Sequence, residues 1–119
     1  VADLAGGTVP DCIFCKIVRR EIPANEVKRS ADAVAFRDLN PQAPQHVLVI
    51  PTTHVAAVRD AAGAVVARTF AFAAEVARDL GLDAGGYRLV TNTGPDAGQS
   101  VDHLHIHLLG GRRLGWPPG

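Results

Sequence analysis

The chain has 119 residues, of which 47% are hydrophobic and 20% charged; this is the composition of one folded domain, too short for two and too apolar for intrinsic disorder. Twelve Lys+Arg balance twelve Asp+Glu, which removes the basic footprint of a general nucleic-acid binder and makes a small-molecule ligand the better default. No segment has the length and apolarity of a membrane span, and residues 1–10 lack the basic start and apolar run of an export signal, so the expected setting is the cytoplasm.

Residues 1–10 are read as a flexible start, followed by a single domain over 11–119. Asp11 is placed to cap a short helix carrying Ile13, Phe14, Ile17 and Val18 on one face, with Pro23 marking its end. Residues 26–29 and 33–38 read as a hairpin around Ser30-Ala31-Asp32, and 40–44 as a loop. The run 46–51 (His-Val-Leu-Val-Ile-Pro) has the length and continuous apolarity of an interior strand covered on both faces.

Residues 60–80 repeat apolar side chains every three to four positions and are followed by Gly81, which predicts a long helix with a glycine C-terminal stop. Strands are expected over 87–93 and 102–109, joined by a glycine-rich loop too long for a tight hairpin. The order of elements favours an α+β fold with an antiparallel sheet of about five strands, one long helix and one short one.

The segment His103-Leu104-His105-Ile106-His107-Leu108-Leu109 carries the chemistry. Side chains alternate along a strand, so the three histidines share one face while Leu104, Ile106 and Leu108 line the other. At about 3.3 Å per residue the outer histidines lie roughly 13 Å apart at Cα, too far to share one metal with bonds of about 2.0–2.1 Å. A neutral imidazole with a pKa of about 6.5 is, by contrast, a competent nucleophile at pH 7.

The row resembles the His-φ-His-φ-His-φ-φ signature of the histidine triad superfamily. Cys12 to Ile17, Glu21-Ile22-Pro23, 35–38, 41–44, 46–51, 98–101 and the 110–119 tail are similar, in the same order, to its Hint branch of purine nucleoside phosphoramidate hydrolases. The resemblance implies that His105 attacks the α-phosphorus of a nucleoside 5′-phosphoramidate, forming a nucleotidyl-histidine that water resolves. His107 would bond phosphate oxygens, and His46 would support the row from the neighbouring strand. Asn92, Gln99 and Ser100 would serve the phosphate or leaving group. Ile13, Phe14, Ile17, Phe36 and Leu39 would form the base cleft, although Ile17 and Phe36 read equally as core, and Asp38 would accept from the ribose hydroxyls.

Cys12-x2-Cys15 at a helix N-terminus suits a tetrahedral metal, with a redox dithiol or two ordinary buried cysteines as the alternatives, and His54 and His103 can complete a set of four if strand 46–51 neighbours the triad strand. Some bacterial members of the superfamily resemble this chain here, whereas eukaryotic Hint proteins usually lack the cysteine pair. The zinc would be structural and not required for catalysis. Family members pair through the long helix and the adjoining strand, so a homodimer is expected, with Trp116-Pro117-Pro118-Gly119 reaching toward the partner's site. The rival readings are a dinucleoside polyphosphate hydrolase or nucleotidyl transferase, a nucleotide-binding interaction module, and a zinc hydrolase using the row as ligands. Whether His103 serves the metal, the active site or both stays open at this point.

Overall fold

The computed structural model describes residues 8–119; most of the segment read as a flexible start, residues 1–7, lies outside them. Among the described residues the order is α1 (Ile13–Val18), β1 (Glu26–Arg29), β2 (Ala33–Arg37), β3 (Gln45–Pro51), α2 (Gly63–Asp79), β4 (Tyr87–Val90) and β5 (Ile106–Gly110). The strands form one antiparallel sheet in the order β1-β2-β3-β5-β4. No helix among these residues is long and apolar enough to cross a membrane.

The apolar run of β3 is buried from His46 to Pro51 because both sheet faces are covered. On one face Ala33, Ala35, Val47, Val49, Ile106 and Leu108 pack against Phe72, Ala73, Val76 and Ala77 of α2. On the other, Val34, Phe36, Leu48 and Ile50 pack against Phe14 and Ile17 of α1. His107 lies opposite Leu48 in the β3–β5 ladder and so belongs to the α1 face.

Several boundaries differ from the sequence reading, some only by a residue, and the larger differences have physical reasons. Cys12, not Asp11, caps α1: its sulfur accepts from the Cys15 N–H at 3.4 Å. The long helix begins at Gly63 because Ala61 and Ala62 are extended, and Val58–Asp60 forms a separate 3-10 turn. Its end matches the expectation: Gly81, at φ 74°, lets the N–H of Leu82 reach the Ala77 carbonyl at 2.9 Å and its own N–H reach that of Arg78 at 3.0 Å.

β4 stops at Val90 and β5 starts only at Ile106. The β3–β5 register would next set Pro51 opposite Leu104, and proline has no N–H to donate. Leu104 instead gives its N–H to the Val55 carbonyl at 2.7 Å. His103 and His105 therefore precede the ladder, although alternation still holds them on the α1 side.

Candidate functional site: a histidine row between two helices

Hydrogen bonds to the main chain decide which nitrogen of each ring carries the proton. The Nδ1 of His105 lies 2.7 Å from the carbonyl oxygen of His103, which can only accept, so Nδ1–H donates and the lone pair sits on Nε2. Thr91 steadies the same residue from behind, its hydroxyl donating to the His105 carbonyl at 2.8 Å. At His46 the polarity is reversed. The Gln42 N–H donates to Nδ1 at 3.0 Å, which leaves the proton on Nε2, 2.9 Å from Nδ1 of His107. His107 accepts there and carries its proton on Nε2. Neither Thr91 nor Gln42 was among the residues expected from sequence.

Burial favours the neutral form of His46 and His107. His107 is pushed down to about 4, first by desolvation and then by the neighbouring His105 and His46. His46, 5% exposed, is also lowered by burial, and the Asp38 carboxylate 3.4 Å away only partly opposes this. Asp38, His46 and His107 would pass for a two-histidine, one-carboxylate metal set on distance alone. The tautomers argue otherwise: Nε2 of His46 holds a proton so long as Nδ1 accepts from Gln42, which makes the trio a hydrogen-bond relay.

The second cluster has the opposite character. Nδ1 of His103 lies 3.3 Å from Sγ of Cys12, 3.5 Å from Sγ of Cys15 and 3.2 Å from Nδ1 of His54, and Cys15 Sγ lies 3.3 Å from His54 Nδ1. A tetrahedron with bonds of about 2.0–2.1 Å to nitrogen and 2.3 Å to sulfur has edges of roughly 3.3–3.7 Å, so these separations match a zinc-sized cage. The Nε2–H of His103 is spent on the Pro51 carbonyl at 3.0 Å, turning its Nδ1 lone pair inward. Burial lowers His103 to about 4 and raises the Cys15 thiol to about 11. Two of the four converging donors, His103 and Cys15, are thus costly to charge without a cation. Cys12, Cys15, His54 and His103 form a cluster able to hold a metal, with every donor supplied by protein, as in a structural rather than a catalytic zinc site. His103 takes part in both constellations, its ring in the cluster and its carbonyl on His105.

Phe14 joins the two. Its ring meets His103 and His105 edge-on, with centroids 5.9 and 5.2 Å away, and Phe36 at 5.6 Å. Beside it a cavity of about 210 Å³ is lined by Ile13, Phe14, Ile17, Phe36, Asp38 and Leu39 among others, so all six residues expected around a nucleoside share one recess. Phe14, Ile17 and Phe36 are at once wall and core, whereas Ile13 is 50% and Leu39 99% exposed at the rim. Asp38 Oδ1 accepts from the Asn40 N–H at 2.8 Å, and Oδ2 faces His46.

The loop before the row is placed differently from its expected part. Gln99 braces it, accepting from Gly94 N–H at 2.9 Å and donating to the carbonyls of Val101 at 3.0 Å and of Ala56, in the segment after β3, at 2.7 Å, so that in this structure its amide is engaged by main chain. Asn92 is half-buried just beyond β4, and Ser100 is exposed beside a groove shared with Cys12, Ile13 and His54. Among the described residues neither hydrogen-bonds the histidines.

The comparisons agree with this geometry. The profile of the HIT domain matches residues 19–114. A 14 kDa zinc-binding protein of Zea mays is 45% identical over 112 residues, covering 90% of this chain and 87% of its own. Among solved structures, an HIT family hydrolase from Legionella pneumophila superimposes with a TM-score of 0.88 at 46% identity, covering 92% of this chain and all of that one. A histidine triad nucleotide-binding protein from Candida albicans gives 0.79 at 34% identity, covering 90% and 83%.

Proposed function

The chain belongs to the HIT domain family, and from that membership we propose that it binds a purine nucleoside monophosphate derivative and hydrolyses the P–N bond of a 5′-phosphoramidate through His105. The observation that carries the reading is the 2.7 Å hydrogen bond from Nδ1–H of His105 to the His103 carbonyl, which presents Nε2 as the free lone pair.

In this mechanism Nε2 attacks the α-phosphorus and forms the N–P bond; the P–N bond to the leaving group breaks, and the amine departs with the bonding pair and a proton from water. The His103 carbonyl, holding Nδ1–H, supports the positive charge that the ring acquires. His107 donates Nε2–H to a phosphate oxygen, its tautomer set by His46. Water then attacks the phosphorus, returning the electron pair to Nε2 and releasing the nucleotide; the proton it loses neutralises the hydroxide left when the amine was protonated, so one water is consumed overall. The base lies in the recess of Ile13, Phe14, Ile17, Phe36 and Leu39, and Asp38 accepts from the ribose. Asn92 and Ser100 attend the phosphate once substrate is bound. Zinc, when bound, supplies a rigid cross-link between α1 and the segments carrying His54 and His103; no step passes through it.

The second reading is a nucleotide-binding module, or a hydrolase of dinucleoside polyphosphates sharing the same nucleophile. The all-protein metal cage and the names of the relatives, zinc-binding and nucleotide-binding, favour binding over the P–N bond in particular. Rates on adenosine 5′-phosphoramidate and on diadenosine polyphosphate, for wild type and His105→Ala after exhaustive chelation with folding verified, separate the three. Turnover of the phosphoramidate that survives chelation and is lost in the variant supports the proposal; AMP binding with no turnover of either compound supports the module.

The proposed setting is the cytoplasm, where a paired-cysteine metal site stays reduced. The proposed assembly is a homodimer extending the sheet at the β4 edge and pairing α2; a gel-filtration mass of one chain at micromolar concentration would remove it.

A further inference from the structure

The mechanism above leaves unexplained why the metal cage and the nucleophile share a residue and a ring. α1 is only six residues long, below the length at which a helix holds itself together in water. Its Phe14 and Ile17 pack on Val34, Phe36, Leu48 and Ile50, and two polar attachments hold its ends. At its C-terminal end Arg29 donates to the carbonyls of Val18 at 3.0 Å and Ile17 at 3.3 Å, and is itself held by Glu26 at 2.8 Å. At its N-terminal end the polar attachment is the cluster: Cys12 caps the helix, Cys15 lies one turn on, and both sulfurs face His103. Phe14 stands between those two cysteines, wedged against His105 and forming part of the cavity wall with Ile13 and Ile17.

We infer that the metal cluster controls nucleotide affinity by way of Phe14: occupation of Cys12, Cys15, His54 and His103 fixes the N-terminal half of α1, and thereby both the cleft wall and the ring that seats His105. Phe14 is a positioning residue in this scheme. The inference rests on the nucleotide reading of the cavity and adds a thermodynamic link between two sites. Without the cation no bond ties the two sulfurs to His54 and His103, and it is the N-terminal end of α1 that loses a polar attachment, since His103 stays anchored by Pro51 and Leu104 by Val55. Linkage is reciprocal: whatever factor zinc contributes to AMP affinity, AMP contributes to zinc affinity.

The test measures AMP binding by titration calorimetry to zinc-loaded and chelator-stripped protein, with circular dichroism as the check on folding, and zinc affinity by competition with a chromophoric chelator with and without AMP. In wild type, stripping weakens AMP binding on the order of tenfold, and AMP tightens zinc by the same factor. Phe14→Leu weakens AMP binding in both states, because Phe14 lines the cleft, but brings the ratio between the states close to unity. Equal AMP affinity with and without zinc in folded wild type overturns the inference, as does full coupling retained in Phe14→Leu. Failure of loaded wild type to bind AMP overturns the nucleotide reading and this inference with it. Should stripping unfold the chain, replacing zinc by cadmium, whose bonds are longer, keeps the comparison: AMP affinity changes in wild type and not in Phe14→Leu, and an unchanged wild type refutes the coupling.

Discussion

Nε2 of His46 stands 2.9 Å from Nδ1 of His107, and the direction of that bond is imposed by the Gln42 N–H, 3.0 Å behind the far nitrogen of His46. One backbone amide thus decides that His107 carries its proton on Nε2. Replacing His46 by Phe removes the relay and frees His107 to adopt either tautomer. The expected result is a fall in kcat of about 10–100-fold with KM little changed, and partial recovery in His46→Gln, whose amide can still donate. Steady-state kinetics on a nucleoside 5′-phosphoramidate provide the check; a kcat unchanged in His46→Phe sinks the relay.

Acid sensitivity follows from burial. The folded chain holds His107 near 4 and lowers His46, while the unfolded chain binds protons at about 6.5. As pH falls through 6.5 the unfolded state takes up protons first, so stability declines from there, and the contribution of His107 levels off once its native ring also protonates, near 4. Urea denaturation at a series of pH values should show midpoints that are flat above pH 7 and fall between 6.5 and 4. His107→Asn should flatten that slope; a slope equal to wild type would contradict the assignment.

Metal uptake should release protons. With the cluster empty, burial holds the Cys15 thiol at about 11, protonated at pH 7.5, yet zinc binds the thiolate. A weakly buffered titration with an indicator dye should register at least one proton per zinc bound, and Cys15→Ser should lower both the proton yield and the zinc content. Zinc retained at full occupancy in Cys15→Ser would place the metal elsewhere.

Gly111 governs the loop that supplies the Gln42 amide. It sits at φ 91°, and a Cβ there would come 2.9 Å from the Pro44 side chain. Arg112, the next residue, donates to the Gln42 carbonyl at 2.9 Å. Gly111→Ala is expected to destabilise the fold by more than about 1 kcal/mol and to lower kcat along with it, whereas Gly115→Ala, where a Cβ meets open space, should leave both unchanged. Thermal melts and kinetics on the two variants decide this.

Much of this architecture can be read from residue pattern. Alternation in the 103–109 row places three imidazoles on one side of the sheet, the spacing of Cys12 and Cys15 announces a metal, and Gly81 marks the end of α2 within a residue. What escapes pattern is whatever the main chain does. The Gln42 N–H, the Pro51 carbonyl and the His103 carbonyl select these tautomers, and any residue would offer the same carbonyls and any but proline the same N–H. Likewise Asp11 has the better capping chemistry, yet Cys12 caps α1 because the cluster draws its sulfur inward, a demand that comes from residues some ninety positions away. Gln99, polar and next to the row, reads as a ligand contact; only the folded loop reveals that its amide is already committed.

Pro51 does more than close a strand. A residue with an N–H at that position could let the β3–β5 ladder zip two residues further, and Leu104 would exchange Val55 for a sheet partner. The carbonyl of Pro51 would then answer to the sheet rather than to an imidazole, and three histidines written to one rule would be regimented into one task. By interrupting the weave at that point, a single ring-closed backbone nitrogen lets the three rings take different partners: His103 the Pro51 carbonyl, His105 the His103 carbonyl and His107 the His46 ring.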